Sequence, residues 1–420
     1  MPNSALPPQT PRPLQLPSPL PTQTATPEPP MRMLFDVTRL LQSGLHTGIQ
    51  RVLRSLLAGC DAAGLPALAV SFDGAQWLAH PRLAPHPLQG LAPQPALPPH
   101  PIAPGPGDAL LMFDASWYLD PWPAVDAALA RGARLAAMVH DLLPVQQPQW
   151  FRPQLQPLFT HHLACMAERA HAWFVPSATV ARGLARHLGG AGAAPCPRIQ
   201  VLPHGGDFLL CNGPARPPAL PRPKALPATP YHLVVSTLEP RKQHGRILDA
   251  FERLWQRGFP ASLVFIGALG WKIDALQERL RQHPQLGQKL HHLENLSDPE
   301  LAYCYTHAQS LIYLSRDEGF GLPVLEAAML GCPVIASDIP VLRETGQNWP
   351  VYLDPASTTA LEHALQTWPP QSPPGAAPQR RWEDVARQLH AALLPLSDAT
   401  RPTATAAPAT SAPLADLPLS

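Results

Sequence analysis

The sequence predicts an α/β protein made of two doubly wound halves. Short apolar segments alternate with helical segments twice along the 420 residues, and a proline-rich stretch, residues 212–230, separates the two series. In the second half, a glycine-containing loop lies between a buried strand and a helix, within residues 315–333. Ligands of open α/β sheets bind at the carboxyl ends of strands, so two such halves facing each other predict a cleft that binds a ligand.

The first half is predicted to span residues 32–211 and to follow a proline-rich tail, residues 1–31, whose composition predicts disorder. Thr47 and Gln50 have the spacing of a capping box, which predicts a helix start there. The dense prolines of residues 81–107 predict a surface loop. The predicted strands are 33–37, 65–72, 109–113, 135–139, 173–175 and 199–202, and the predicted helices end near residues 57, 169 and 188.

The second half is predicted to span residues 231–368, after the linker at 212–230. Ser297 and Glu300 form a second capping-box pattern. A last amphipathic helix is predicted at 379–394, and residues 395–420 form a second tail of the disordered kind. The predicted strands are 233–236, 263–266, 290–293, 310–315, 333–337 and 351–353, and the predicted helices are 244–256, 271–282, 297–307, 323–330 and 357–368.

Composition excludes several classes of function. The net charge of +1 gives no reason to expect a nucleic-acid-binding protein. The six cysteines show neither C-x-x-C nor zinc-ligand spacing, so they are interpreted as reduced thiols of a cytoplasmic protein. No apolar run reaches membrane-span length, and the proline-rich start lacks the apolar core of a secretion signal.

The stretch 315–333 carries two glutamates, Glu318 in the glycine-containing loop and Glu326 in the first or second turn of the following helix, with Gly319, Gly321 and Pro323 between them. Such a loop lets backbone amides approach an anion at a helix N-terminus. An ionised carboxylate only accepts hydrogen bonds, so the two glutamates suit the hydroxyl pairs of a sugar or a ribose better than a phosphate. A bare pair of glutamates would favour an ordinary helix cap and a solvated side chain. The glycines, the proline and the preceding apolar strand favour a binding site.

Several stretches together resemble one family, the retaining glycosyltransferases of GT-B fold in the group-1 or family-4 class. The resemblance is specific in the second half and looser in the first. It also covers Trp382 and the last helix. The second-half stretches are 236–242, 248–251, 265–267, 296–301, 318–327 and 331–338; those of the first half are 36–38, 47–51, 140–141 and 203–205. The resemblance implies two Rossmann-like domains facing across a cleft, with a C-terminal helix that crosses back to the first domain.

The resemblance also implies a function. A hexose would move from a nucleotide-diphospho-sugar to a glycan or a lipid-linked acceptor, with retained configuration, in the synthesis of exopolysaccharide, O-antigen or capsule. GDP-mannose is the first choice of donor, ahead of UDP-hexoses and dTDP-rhamnose. No cofactor is expected. A polyprenyl-linked acceptor would bring peripheral contact with the inner face of the cytoplasmic membrane.

By this likeness, each candidate residue has a role in the donor site. Arg241 and Lys242 would bind the diphosphate, and Glu326 would hold the ribose hydroxyls. Glu318 would contact the donor sugar, and His140 would line the reaction centre. Together, His140, Arg241, Lys242 and Glu318 form the predicted catalytic set. The remaining donor-binding residues are Gly48, in a loop that approaches from the first domain, and Gly319, Phe320, Gly321 and Leu322, through their backbone amides.

The residues agree with an enzyme that needs no metal ion. A leaving nucleoside diphosphate needs its growing charge neutralised, and the adjacent cations Arg241 and Lys242 follow a buried strand and can supply this. The sequence contains no D-x-D pair, the usual metal-bridging motif of other glycosyltransferases. A solvated basic turn is the alternative for this pair, and a histidine that caps the next turn is the alternative for His140. Asp141 is interpreted as holding that turn.

Two departures from the family pattern concern the donor site. The first loop has Thr47 and Gly48 where the family often has two glycines. An arginine that often precedes the diphosphate lysine has no clear counterpart; Thr237 lies near that place, and Arg241 is its suggested substitute. No carboxylate nucleophile is apparent in the first half, which favours same-face displacement assisted by the leaving phosphate over double displacement. A nucleotide-sugar 2-epimerase of the same architecture and a non-catalytic glycosyltransferase-like subunit are the competing hypotheses.

Overall fold

The computed structural model describes residues 31–43, 47–81, 83, 97–189, 198–208, 220–368 and 375–396. The predicted first tail up to residue 30, the predicted linker between 212 and 219 and the second tail beyond residue 396 lie outside this set. We call residues 31–208 the N-terminal lobe and residues 220–368 the C-terminal lobe.

The N-terminal lobe contains a sheet of eight strands in the order β4-β3-β2-β1-β5-β6-β7-β8. Strands β1, β2 and β5 to β8 run parallel, and β3 and β4 extend the sheet antiparallel at one edge. The elements are β1 Arg32–Asp36, α1 Thr38–Ser43, α2 Gly48–Ala62, β2 Ala67–Phe72, β3 Trp77–His80, β4 His100–Ile102, β5 Asp108–Met112, α3 Trp122–Ala130, β6 Arg134–Met138, α4 Leu143–Gln146, α5 Leu155–Ala167, β7 Ala172–Val175, α6 Ala178–Gly189 and β8 Ile199–Val201.

The C-terminal lobe contains a sheet of six parallel strands in the order β11-β10-β9-β12-β13-β14. Strand order reverses between β9 and β12, so the carboxyl ends of these two strands open a ligand-binding crevice. The elements are β9 Tyr231–Val235, α7 His244–Gln256, β10 Ser262–Ile266, α8 Asp274–Arg281, β11 Leu290–Leu293, α9 Asp298–His307, β12 Ser310–Tyr313, α10 Leu322–Met329, β13 Val334–Ser337, α11 Pro340–Gly346, β14 Val351–Leu353 and α12 Thr358–Gln366.

The central strands are predominantly apolar because helices cover both faces of each sheet. Every residue of β5, β7, β9, β10, β12 and β13 is buried. This is why the sequence alone predicts the central strands. At the edge of the first sheet the prediction is wrong: β3 was not predicted, and β4 lies inside the predicted loop 81–107. Strand β4 contains Pro101, which an edge strand tolerates because one side of it needs no hydrogen-bond donor.

The two predicted capping boxes have different outcomes. The Ser297 hydroxyl accepts from the amide of Glu300, and the Glu300 carboxylate accepts from the amide of Ser297, so the box at α9 is confirmed. At α2, the side chains of Thr47 and Gln50 contact each other instead, and Thr47 makes no side-chain cap to the helix. The side-chain amide of Gln50 donates to the Asp114 carboxylate at 3.1 Å and so does not return to the backbone of Thr47.

The last helix, α13 Trp382–Leu393, packs on the N-terminal lobe. Its buried face joins the core formed by β1, β5 and α2. The amide of Trp382 donates to the Asp207 carboxylate at 2.7 Å. At Gly59 in α2, a β-carbon would lie 2.5 Å from the Trp382 carbonyl oxygen, so the absence of a side chain there allows the two helices to meet.

The two lobes touch along several segments. The Ser177 hydroxyl donates to the carbonyl of Gly319 at 2.9 Å. The Glu344 carboxylate of α11 accepts from the amides of Ala178 and Thr179 at the start of α6. The Trp271 indole donates to the carbonyl of Trp150 at 2.7 Å. A closed arrangement of the lobes therefore brings the C-terminal glycine-containing loop against the first lobe. Within the described segments, helices are too short or too polar to cross a membrane.

Candidate active site

A buried ion pair, Lys242 with Glu318, lies at the switch point of the C-terminal sheet. Lys242 ends a short 3-10 helix, Pro240–Lys242, that follows β9, and Glu318 lies in the loop after the neighbouring strand β12. The Lys242 ammonium contacts the Glu318 carboxylate and also donates to the hydroxyl of Tyr313 at 2.8 Å. Both charged side chains are less than one-tenth exposed. The adjacency of the two strands thus brings together the predicted diphosphate lysine and sugar-binding glutamate.

Arg241 completes this cluster. Its guanidinium pairs with the other Glu318 oxygen at 2.8 Å and with the Glu239 carboxylate at 2.8 Å. It also donates to the carbonyl of Asp317 at 2.9 Å. The cluster therefore holds two cations and two carboxylates in a dry environment, with the cations already fixed in position.

The charges set the protonation state of Glu318. Burial favours the neutral acid, but Arg241 and Lys242 outweigh it and lower the pKa of Glu318 to about 2. Burial and the adjacent Arg241 lower the pKa of Lys242 from its usual value. Glu318 is thus a carboxylate throughout the physiological pH range, and it is available as a hydrogen-bond acceptor for hydroxyl groups.

The glycine-containing loop, residues 319–322, is shaped by its two glycines. Gly321 has φ +89° and precedes α10, in a backbone conformation that suits glycine. Gly319 lies against the N-terminal lobe, where a β-carbon would fall 1.9 Å from the carbonyl oxygen of His140. Phe320 is buried and Leu322 packs against the core of the N-terminal lobe. The loop, at the N-terminus of α10, is thus wedged between the lobes.

His140 lies next to this loop and is partly buried. Its Nε2–H donates to the carbonyl of Phe113 at 2.9 Å. Burial lowers the pKa of His140, so the ring is neutral at physiological pH. The neighbouring Asp141 accepts from the amide of Leu143 at 3.0 Å and so holds the turn, as its position predicts. Burial raises the pKa of Asp141 to about 6.

Glu326 has partners that the sequence did not predict. The Arg51 guanidinium, from α2 of the other lobe, meets one Glu326 oxygen at 2.8 Å. The Tyr305 hydroxyl donates to the second oxygen at 3.1 Å. Arg51 also pairs with Asp298 at 2.9 Å. Burial raises the pKa of Glu326 to about 7, with Arg51 acting in the opposite direction.

Gly48 is the first residue of α2 and is exposed. A β-carbon at this position would meet no atom within 4 Å. Local packing in this structure therefore does not explain a glycine here, and its predicted contact with a donor stays a prediction.

Several residues around the site were not predicted from the sequence to be functional. Tyr305 and Tyr313 occupy apolar segments, where a tyrosine is as expected in the core as in a site. His204 stacks on Trp382, with ring centres 5.7 Å apart, and contacts the Phe320 ring at 4.9 Å. His204 and Arg51 both lie in stretches that resemble the family, at 203–205 and 47–51, and Arg51 carried a further signal. It lies three residues after Gly48 on one face of a helix.

The arrangement can bind an anion and hydroxyl groups side by side. Arg241 and Lys242 supply positive charge fixed by their pairing with Glu239 and Glu318, and the positive end of the α10 dipole favours an anion. Glu318 and Glu326 supply acceptors for hydroxyls on either side of it. Among the described residues, no group of three or more His, Cys, Asp or Glu side chains could hold a metal ion.

This fold and site define a class of protein. Residues 221–375 match the family model of the glycosyl transferases group 1, and this part of the chain belongs to that family. The fold is GT-B, as predicted: two solved GT-B-like structures superpose on most of the chain. A sucrose-phosphate synthase of Thermosynechococcus elongatus does so with a TM-score of 0.55 at 17% identity, covering 87% of this chain and 96% of that one. HepE of Anabaena, in complex with UDP and glucose, gives 0.53 at 14% identity, covering 86% and 95%.

A curated relative in sequence is the serotype-specific mannosyltransferase WbdA of Escherichia coli. The two are 34% identical over an alignment of 362 residues, and the alignment covers 80% of this chain. The chain spans 41% of the length of WbdA, so it corresponds to part of that protein.

Proposed function

We propose that the protein is a retaining, metal-independent hexosyltransferase. It transfers a sugar, mannose in first place, from a nucleotide-diphospho-sugar to a glycan or polyprenyl-linked acceptor of a surface polysaccharide such as O-antigen. The similarity to WbdA, a serotype-specific mannosyltransferase, supports the choice of mannose as the sugar. The enzyme is proposed to act at the cytoplasmic side of the inner membrane, where such acceptors are exposed.

One observation carries the proposal: Lys242, Arg241 and Glu318 meet at the strand switch point, and Gly319, the next residue after Glu318, lies against His140. In this arrangement the cations face the diphosphate, and Glu318 accepts hydrogen bonds from the sugar hydroxyls. Glu318 pairs with both cations in this structure. The incoming diphosphate takes over part of this pairing, and the ion pair thus keeps the cations in position for it.

In the proposed reaction, the bond between the sugar C1 and the diphosphate oxygen breaks, and a bond from C1 to the acceptor oxygen forms on the same face. The acceptor proton passes to the leaving phosphate oxygen. Arg241 and Lys242 stabilise the charge that develops on the diphosphate. The neutral ring of His140 lines the reaction centre, and closure of the Gly319 loop against it excludes water.

A transfer assay tests the proposal. The protein is incubated with GDP-mannose, UDP-hexoses or dTDP-rhamnose, each with a synthetic mannoside acceptor, after thermal-shift measurements have shown which nucleotide stabilises the fold. We expect one donor to be consumed only with acceptor present, and NMR to show an α-linked product from an α-linked donor. A β-linked product would contradict retention. Conversion of the donor to its 2-epimer without acceptor would identify an epimerase instead.

Metal independence has its own test. Because Arg241 and Lys242 supply the positive charge at the diphosphate, transfer is expected to continue at its full rate in excess EDTA after dialysis against chelator. Added Mg²⁺ or Mn²⁺ should leave kcat unchanged within about twofold. A rate that falls with EDTA and returns with Mg²⁺ would refute this part of the proposal.

A further inference from the structure

The contact between Arg51 and Glu326 joins the two lobes. The proposed function gives Glu326 a role in binding the ribose but gives none to Arg51. Arg51 belongs to α2 of the N-terminal lobe, and Glu326 to α10 of the C-terminal lobe. The Arg51 side chain is 15% exposed and the Glu326 side chain 5%. The guanidinium lies over the ring of Phe208, 4.6 Å from its centre. The pair is therefore buried and held on several sides.

The geometry leaves Glu326 able to bind further groups. One oxygen accepts from Arg51 Nε and the other from the Tyr305 hydroxyl. A carboxylate offers about four lone-pair sites, so one site remains on each oxygen. Two hydroxyls on adjacent carbons, as in a ribose, match two such sites. The existing contacts orient the carboxylate without using up its capacity to accept.

We propose that Arg51 is a positioning residue of the donor site, which orients the ribose-binding carboxylate of Glu326 and favours its charged form only when the lobes are together. This inference rests on the proposed function, because it takes Glu326 as the ribose ligand. Since Glu326 is almost fully covered, a nucleotide reaches it when the lobes separate. Arg51 then returns with the N-terminal lobe, so that nucleotide binding and lobe closure support each other.

The surroundings of Glu326 explain why an arginine is needed. Asp298 faces the same space, and its negative charge disfavours ionisation of Glu326, as does burial. Arg51 pairs with both carboxylates at once, which a planar guanidinium does better than an ammonium group. Tyr305 supplies a neutral hydrogen bond. Arg51 is thus the group that offsets two negative charges in a dry pocket.

The test compares R51Q with wild type and with R182Q, in the full chain. Arg182 forms an exposed pair between the lobes with Glu344 at 3.6 Å, and so serves as a matched control. Calorimetry measures the affinity for GDP, UDP and dTDP. We expect R51Q to bind the preferred nucleotide about 10- to 100-fold more weakly, R51K to recover part of the loss, and R182Q to match wild type.

A pH series separates positioning from a structural role. Nucleotide affinity should rise with pH as Glu326 ionises, with a midpoint near its pKa of about 7 in wild type. Without Arg51 the pKa of Glu326 rises, so the midpoint in R51Q should move to higher pH. Loss of stability alone would lower the melting temperature without moving the midpoint.

The outcomes are distinguishable. Wild type that binds none of the three nucleotides would overturn the proposed function itself. Wild type that binds, together with an R51Q variant that binds equally well, would overturn this inference alone. Tighter binding by R51Q would also overturn it, because Arg51 would then compete with the ribose for Glu326. If R51Q bound nucleotide more weakly but the pH midpoint of binding stayed the same, Arg51 would have only a structural role, and the positioning role would be overturned.

Discussion

Replacing Lys242 by alanine is expected to lower kcat/KM for sugar transfer about 10³-fold, equivalent to about 4 kcal/mol of transition-state stabilisation. The Lys242 ammonium is fixed by Tyr313 and Glu318 and therefore meets the developing charge without reorganisation. Arg241 remains to pair with Glu318, so the fold should persist. Steady-state kinetics with the preferred donor measure the loss, and near-UV circular dichroism checks the fold.

Lys289→Ala is the matched control. Lys289 is a lysine of the same lobe whose ammonium donates to the carbonyl of Phe259, away from the proposed site. Its replacement should leave kcat/KM within about twofold of wild type. We also expect Glu318→Ala to abolish transfer, since it removes the proposed sugar acceptor. Near-normal transfer by Lys242→Ala or Glu318→Ala would show that the site has been assigned wrongly.

Gly319→Ala is expected to reduce kcat about 10²-fold by holding the lobes apart. The added β-carbon would fall 1.9 Å from the His140 carbonyl oxygen, so the loop and the first lobe must separate by about 1–1.5 Å. Displacement of this size at a reaction centre costs about two orders of magnitude in rate. Small-angle scattering should show a larger radius of gyration than that of wild type with nucleotide bound.

Gly189→Ala provides the comparison for this variant. Gly189 ends α6, and a β-carbon there would meet no atom within 4 Å. It should behave as wild type in both rate and scattering. If Gly319→Ala transferred sugar at the normal rate, contact between the glycine-containing loop and His140 would not belong to the active arrangement.

The central part of the fold follows from the sequence because strands covered on both faces need continuous apolar runs. Strand β5 is an example: residues 109–113 are predicted, and Asp108–Met112 is observed. Strands β3 and β4 lack this requirement, since both are only partly buried and β4 is unpaired along its outer edge. Pro101 makes β4 still harder to predict from the sequence. The missed strands are therefore those that burial constrains least.

The candidate site was predictable in its members but not in its contacts. Lys242 and Glu318 each follow a buried strand, and the sequence shows both. Their meeting depends on β9 and β12 being neighbours, which is a matter of topology. The ion pair of Arg51 with Glu326 depends on how two lobes close on each other. The local sequence does not show how the lobes close. Arg51 could therefore be identified as part of a motif, but no function could be assigned to it.

The crossing of α13 has a consequence for how the chain is made. The apolar face of this helix completes the core of the lobe that is synthesised first, with Trp382, Val385 and Leu389 fully covered. A nascent chain that has emerged only as far as β8 therefore presents an unfinished hydrophobic surface. The N-terminal lobe therefore reaches its final stability only after the C-terminal lobe and α13 have been synthesised. The two lobes should then unfold on heating as a single cooperative unit.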